Sequence, residues 1–178
     1  MIMGTAKRPS KKYRSPLRIW DKPRIERDKV LRNKYGFKNK KELWKVESLL
    51  RNIRLRAREL VGLKALNLGQ EEEKEFIATL SKRGLVSSNA TVDDVLELNL
   101  ENLMDRRLQT FVLKKEMARS IREARQVITH RHILVDGKII DSPSYMVKKD
   151  EEDKIEFAES SPLSSPTHPV RAKKEEKQ

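Results

Sequence analysis

Apolar residues recur along much of the chain at the spacing of α-helices. The clearest stretch lies between residues 40 and 63, where they follow at steps of three and four, as one buried helix face requires. A shorter helix is predicted from about residue 24 to 34, closed by Gly36, and a helix with an acidic first turn over residues 69–83, closed by Gly84. The stripe of the central helix consists of Leu43, Val46, Leu50, Ile53, Ala57 and Leu60.

Two more helices are predicted in the second half of the chain, after a short connection over residues 85–98. One spans residues 100–116. The next begins at Ser120, because Ser120 and Glu123 have the spacing of a capping box. The inward residues of these helices are Leu100, Leu103, Met104, Leu108, Phe111 and Val112 in the first, and Ile121, Ala124, Val127 and Ile128 in the second.

The apolar period changes to that of β-strands after residue 131. Residues 132–135 and 138–140 flank Asp136-Gly137, a strong signal for a two-residue hairpin. Further strands are predicted over residues 145–147 and 154–157. The pattern therefore predicts an α+β protein: a helical N-terminal region, then a helix-helix-β-hairpin domain with a small antiparallel sheet.

The charge is strongly basic and unevenly distributed. The net charge is +13, residues 1–60 hold 20 Lys and Arg against 6 Asp and Glu, and residues 106–149 hold 11 against 4. Such an excess indicates a polyanionic partner, and two basic blocks suggest two contact surfaces on it, although a solvated face remains the alternative for each block. The division predicted is a flexible basic arm over 1–23, a helical binding region over 24–98, the hairpin domain over 99–158 and a disordered tail over 159–178.

Several classes of protein are disfavoured by composition. The chain has no Cys, which excludes disulfides and thiolate zinc sites. No apolar run approaches the roughly 18–20 residues of a membrane span, and the N-terminus lacks the apolar core of a secretory signal. His130 and His132 lack the further ligands that a metal site needs. We therefore expect a soluble intracellular protein without cofactor, metal or catalytic activity.

Arginines at helical spacing are the leading candidates for contacts with the polyanion, since guanidinium groups grip phosphate bidentately. Arg51, Arg54 and Arg58 share a face of the central helix with Trp44, which is interpreted as a half-buried neighbour. Arg106 and Arg107 fall away from an apolar stripe. Tyr145 is as consistent with a sheet-face aromatic as with a base-stacking one.

The segment ARSIREARQVITHRHILVDGKIIDSPSYMV, residues 118–147, resembles the alpha-L RNA-binding motif. Residues 105–115 and 35–63 resemble the corresponding parts of the ribosomal protein S-four family in its archaeal and eukaryotic form. Ile121 departs from the family, which often has Arg there, and the cysteine cluster of some bacterial members is absent. Lys149-Asp150-Glu151 replaces a bacterial Pro-Gly-Asp, which favours the archaeal type, with the eukaryotic cytosolic type second.

This resemblance implies a structural constituent of the small ribosomal subunit in the cytoplasm. It implies direct binding of small-subunit rRNA at a multi-helix junction of the 5′ domain, an early role in assembly and an influence on decoding accuracy. It also implies contact with the S-five family protein near the region where mRNA enters. The alternatives are the targeting part of an RNA-modifying enzyme and a helix-turn-helix DNA-binding regulator.

The residues expected to contact RNA combine these donors with the motif positions that the resemblance marks. They are Lys12, Tyr13, Arg14, Arg51, Arg54, Arg58, Arg106, Arg107, Arg119, Ser120, Arg122, Arg125, Gln126, Thr129, His130, Arg131, His132, Lys138, Ser144 and Tyr145.

Overall fold

The computed structural model describes residues 10–165, which form seven α-helices and one three-stranded sheet. Short 3-10 turns lie at Lys149–Glu151 and Pro162–Ser164. The helices are α1 Lys22–Tyr35, α2 Lys40–Ala65, α3 Gln70–Lys82, α4 Val92–Glu97, α5 Leu100–Asp105, α6 Leu108–Lys114 and α7 Ile121–Thr129, and the strands are β1 Ile133–Val135, β2 Lys138–Ile139 and β3 Ile155–Phe157. The predicted α+β class is confirmed.

The central helix α2 organises the first of two cores. All six residues of its predicted stripe are buried, and helices α1, α3, α4 and α5 pack around it. Helix α1 ends at Gly36, whose φ of 62° closes the helix in the left-handed conformation. A Cβ at Gly36 would lie only 2.8 Å from Gln109 Nε2, so the turn between α1 and α2 presses directly against the second half of the molecule.

The second core lies between the helix pair α6–α7 and the sheet. The strand order is β2-β1-β3, all antiparallel, with Val135 opposite Lys138 in one pair and opposite Ile155 in the other. Asp136 and Gly137 both have positive φ, as the predicted two-residue hairpin turn requires. The core itself consists of Leu108, Val112, Ala118, Ala124, Val127, Ile128, Ile133, Val135, Val147 and Ile155.

Two predicted elements differ from the structure. The helix expected over residues 100–116 is broken at Arg106-Arg107 into α5 and α6. The strand expected over residues 145–147 does not join the sheet but pairs with the break, where Tyr145 accepts a hydrogen bond from the Leu108 amide and Val147 donates one to Arg106. The two cores consequently divide between Met104 and Leu108, later than the boundary predicted after residue 98.

The described parts of the predicted arm and tail both contact the folded body. In the arm, the Arg14 amide donates to Ser48 Oγ at 2.9 Å and the Tyr13 ring lies 5.9 Å from the Trp44 ring. In the tail, Ser161 is buried and Leu163 packs against the second core, so residues 161–164 differ from the disordered segment expected there. Residues 1–9 and 166–178 lie outside the described residues.

Candidate nucleic-acid interface

A cleft of about 580 Å³ runs along the outer face of α2 and is rich in arginine. We call it the arginine cleft. It is bounded by the arm, by α1 and α2, and by the start of α5. Its charged lining residues are Arg14, Arg24, Arg27, Glu47, Arg51 and Arg54.

The acids beside the arginine cleft neutralise part of its charge. Glu47 contacts Arg27 at 2.8 Å and Arg24 at 3.7 Å, and both arginines also reach the buried Asp28. Burial, with the nearby Asp28 carboxylate, raises the pKa of Glu47 even though the arginines act to lower it. Arg14, Arg27 and Arg51 are exposed, but Arg27 is paired with Glu47, so Arg14 and Arg51 are the cations that an incoming anion meets first.

A second cleft, of about 700 Å³, lies where the turn between α1 and α2 meets α7. We call it the junction cleft because it is built from both halves of the molecule. On one side of this cleft, α7 presents its predicted polar face. The N-terminus of α7 is capped by Ser120, whose side chain accepts a hydrogen bond from the Glu123 amide at 3.2 Å. The lining residues are Arg32, Asn33, Gly36, Phe37, Lys38, Arg122, Arg125, Gln126 and Thr129.

Most of the predicted contact residues have accessible side chains. On the second half of the molecule His130 stacks on His132 with 6.3 Å between ring centroids, and Arg131 adopts a left-handed backbone with φ 63° that turns the chain from α7 into β1. The exposed members of the predicted set are Lys12, Arg14, Arg51, Arg58, Arg119, Ser120, Arg122, Gln126, Thr129, His130, Arg131, Lys138 and Ser144.

The prediction that Arg106 and Arg107 point away from the apolar core is wrong, because both side chains are turned into the protein. Arg107 is 3% exposed, with its guanidinium 4.8 Å from the Phe37 ring. Arg106 donates to the Val147 carbonyl at 2.8 Å and pairs with Glu152. A Cβ at Gly84 would fall 2.5 Å from the Arg106 guanidinium carbon, so the absent side chain there makes room for it. Both arginines are thus engaged with other parts of the chain, and their contact with RNA stays a prediction.

Five other predicted contact residues are partly engaged within the protein. Arg54 donates to the Leu98 carbonyl at 2.6 Å, and the Tyr145 hydroxyl donates to Glu151 at 2.9 Å. His132 Nδ1 lies 2.9 Å from Ser161 Oγ, and Arg125 pairs with Glu42 at 2.7 Å. Tyr13 is half-buried against Trp44, which is itself half-buried as interpreted.

Sequence reasoning missed cleft residues outside the apolar-stripe helices. Arg24 and Arg27 in α1 are three residues apart and face the arginine cleft, a spacing that could have marked them. Arg32 and Lys38 enter the junction cleft only because α1 ends at Gly36.

Residues 10–165 contain no group of three or more His, Cys, Asp or Glu side chains able to hold a metal ion. No described helix is both long and apolar enough to cross a membrane.

The fold and its two clefts define a basic α+β protein with surfaces suited to a polyanion, and comparisons give its family. Residues 106–153 match the S4 domain model. The chain is 46% identical to small ribosomal subunit protein uS4 of Nanoarchaeum equitans over 92% of each chain, and 48% identical to that of Hyperthermus butylicus over 91% of this chain and 92% of the relative. It is 43% identical to that of Picrophilus torridus over 95% and 93%. The chain belongs to the uS4 family, in agreement with the archaeal type that the motifs favoured.

Proposed function

We propose that this protein is a structural constituent of the small ribosomal subunit in the cytoplasm and binds small-subunit rRNA directly through the arginine cleft and the junction cleft. The single observation that carries the RNA-binding part is the pair of cationic clefts on one folded chain. Family membership supports the ribosomal part, because the relatives are named as small-subunit proteins.

The mechanism is electrostatic and geometric. Exposed arginines in each cleft neutralise phosphates and release counterions, so affinity depends steeply on salt. Folded RNA exposes phosphates and 2′-hydroxyls in a shape-dependent pattern, which two separated clefts match better than one. The protein therefore favours an RNA fold in which two backbone segments approach each other, such as a multi-helix junction.

The family resemblance extends the proposal to cellular roles. The protein binds early during small-subunit assembly, contacts the S-five family protein near the region where mRNA enters, and influences decoding accuracy. None of the described contacts provides acid–base or nucleophilic chemistry, so the role proposed is one of binding.

The test uses the full chain and two RNAs: a multi-helix junction from the 5′ domain of small-subunit rRNA, and a single hairpin cut from it. We expect a clear preference for the junction in a gel-shift titration, and co-migration with the small subunit on a sucrose gradient. Equal affinity for the two RNAs would contradict the two-cleft mechanism, and failure to migrate with the subunit would contradict the ribosomal role.

A further inference from the structure

Glu42 occupies the point where the two halves of the molecule meet. It lies in the first turn of α2 and holds the Arg125 guanidinium of α7 with both oxygens, Oε1 to Nη2 at 2.7 Å and Oε2 to Nη1 at 3.0 Å. Glu42 Oε2 also lies 3.5 Å from Nη2 of Arg107, at the break between α5 and α6. We call these three residues the Glu42 hub; it joins an element of the first core to two of the second.

The hub is substantially removed from solvent. The side chains of Arg107, Glu42 and Arg125 are 4%, 17% and 25% exposed. Within the described residues, Arg107 Nε and Nη2 have no hydrogen-bond partner, so the guanidinium depends on Glu42 and on the Phe37 ring for its compensation. Burial lowers the pKa of Arg107 to about 10, with Glu42 opposing the change and Arg125 adding to it.

The Glu42 hub defines the distance and orientation between the elements it joins more than it adds to the net stability of the fold. Buried ion pairs recover their desolvation cost only partly, and apolar replacements of similar volume are often equally stable. What a bidentate carboxylate–guanidinium pair does provide is a defined distance and orientation. A first-turn acid also suits the helix dipole, but that effect needs only a charge near the helix end and no contact with α7.

The hub also borders the junction cleft. Arg125 lines that cleft with Arg122 on the α7 side, opposite Lys38 from the turn before α2. The Arg125–Glu42 contact therefore fixes how far the cations of one half lie from those of the other. It also holds the junction cleft in place relative to the arginine cleft, which is built on the same helix as Glu42.

We infer that Glu42 is a positioning residue: by holding Arg125 and Arg107 it fixes the two RNA-binding halves relative to each other, and it thereby sets the preference for a folded junction over a single hairpin. This inference rests on the proposed function and identifies the side chain that produces its selectivity. Two sites on one rigid body gain from a high effective concentration, and they lose it when their geometry no longer allows simultaneous contact.

The experiment compares full-length Glu42→Gln with the wild type on the same junction and hairpin. Removing a negative charge near a cationic cleft should by itself raise affinity for every RNA. We expect instead that junction affinity falls about 10-fold or more while hairpin affinity is unchanged or slightly higher. Glu59→Gln is the matched control, because Glu59 is an exposed acid of α2 paired with Arg56, and it should alter the two affinities in parallel.

A second variant separates positioning from stability. Glu42→Gln combined with Arg107→Met replaces the buried charge by an apolar side chain and should restore the thermal midpoint, yet junction preference should stay lost. A folded double variant with full junction preference would overturn the inference, as would parallel losses on both RNAs in folded Glu42→Gln. Unfolding of both variants would also overturn it, since the hub would then be a stability element. A wild type that binds neither RNA would instead refute the proposed function.

Discussion

Helices α2 and α7 both carry arginines at helical spacing, but the two halves of the molecule use them differently. On α2, Arg51 and Arg58 are exposed on the face opposite the core, as the periodicity predicts. In the second half, Arg106, Arg107 and Arg125 are directed toward carboxylates or carbonyl groups contributed by distant parts of the chain. Helical spacing thus predicts the side of a helix on which an arginine lies, but not whether another element covers that side.

The difference follows from what surrounds each helix. The arm, α1 and the start of α5 only border the arginine face of α2, so Arg51 stays exposed in a cleft, although Arg54 donates to the Leu98 carbonyl. The polar face of α7 meets the turn before α2 and the acid that begins it, so one arginine of that face is paired while Arg122 remains exposed. We therefore propose that open arginines bind an external anion, whereas paired arginines such as Arg125 hold the two halves together.

The largest expected effect concerns salt. If the clefts neutralise 6–10 phosphates, rRNA affinity should fall about 10³–10⁵-fold between about 50 and 200 mM salt. Replacing three exposed cations of the clefts, in Arg14→Gln, Arg51→Gln and Arg122→Gln together, should lower the logarithmic slope by about 2–3. Filter-binding titrations measure both quantities.

Arg56→Gln provides the control for the salt experiment. Arg56 is an arginine of α2 that already pairs with Glu59 and Glu72, so it should contribute little to phosphate binding. A flat salt dependence in the wild type would exclude the electrostatic mechanism. If Arg56→Gln changed the logarithmic salt slope as much as each exposed arginine does in the triple variant, open and paired arginines would not differ in phosphate binding.

The next largest effect separates the core of α7 from its polar face. Ile128 is fully buried in the second core, so Ile128→Ala should reduce the free energy of unfolding by about 2–5 kcal/mol. Ile139→Ala makes the same chemical change at a residue that is 52% exposed and should cost less than about 0.5 kcal/mol. Urea denaturation measures both; similar losses for the two variants would mean that the second core is assigned wrongly.

A smaller effect distinguishes the two arginines of α7. Arg125→Ala removes the bidentate partner of Glu42 and should lower the free energy of unfolding by about 1–3 kcal/mol. Arg122→Ala removes an exposed cation and should change stability by less than about 0.5 kcal/mol while weakening rRNA binding more per folded molecule. Thermal melts measure the stability of both variants, and titrations at one salt concentration measure their rRNA affinity. A larger stability loss in Arg122→Ala and a larger affinity loss in Arg125→Ala would show that Arg125, not Arg122, is the open cation.

The parts of the fold that could be predicted from sequence depend on local periodicity. The stripe of α2, the caps of α1 and α7 and the Asp136-Gly137 hairpin each follow from residues near one another in the chain. The break at Arg106-Arg107 could not be predicted in this way, because the apolar spacing runs through it. Backbone hydrogen bonds from residues 145–147 take the place of helical ones there.

The candidate interface was predictable to the same extent. The exposed arginines of the interface can be predicted from the faces of the helices. The burial of Arg107 cannot, because it depends on contacts with Phe37 and Glu42. Nothing in the local sequence around residue 107 contains either partner. Contacts between the two halves therefore account for the burial of Arg107 and the pairing of Arg125, which the local sequence does not reveal.

The smallest expected effect concerns Tyr145, a motif tyrosine whose hydroxyl is used inside the protein. It donates to Glu151 at 2.9 Å, so Tyr145→Phe should lower the free energy of unfolding by about 0.5–1.5 kcal/mol near neutral pH without a comparable loss of rRNA affinity. Urea denaturation of wild type and variant measures the first effect, and rRNA titration the second. Tyr13→Phe is the matched control, since the Tyr13 ring packs on Trp44.

The pH dependence of this effect has a definite sign. Burial alone would raise the pKa of Glu151, but hydrogen bonds from Lys148 and Tyr145, with the Lys148 charge, hold it below its ordinary value of 4.5. A carboxyl with a depressed pKa stabilises the fold above its ordinary pKa and loses that contribution as the pH falls through the folded value. Tyr145→Phe brings the folded pKa of Glu151 closer to 4.5, so the stability difference from wild type should stay constant down to about pH 5 and narrow between about pH 5 and about pH 3. A constant difference over that interval, or an equal narrowing in Tyr13→Phe, would show that the hydroxyl does not act on Glu151, and a large loss of rRNA affinity in Tyr145→Phe would return Tyr145 to the RNA-contacting set.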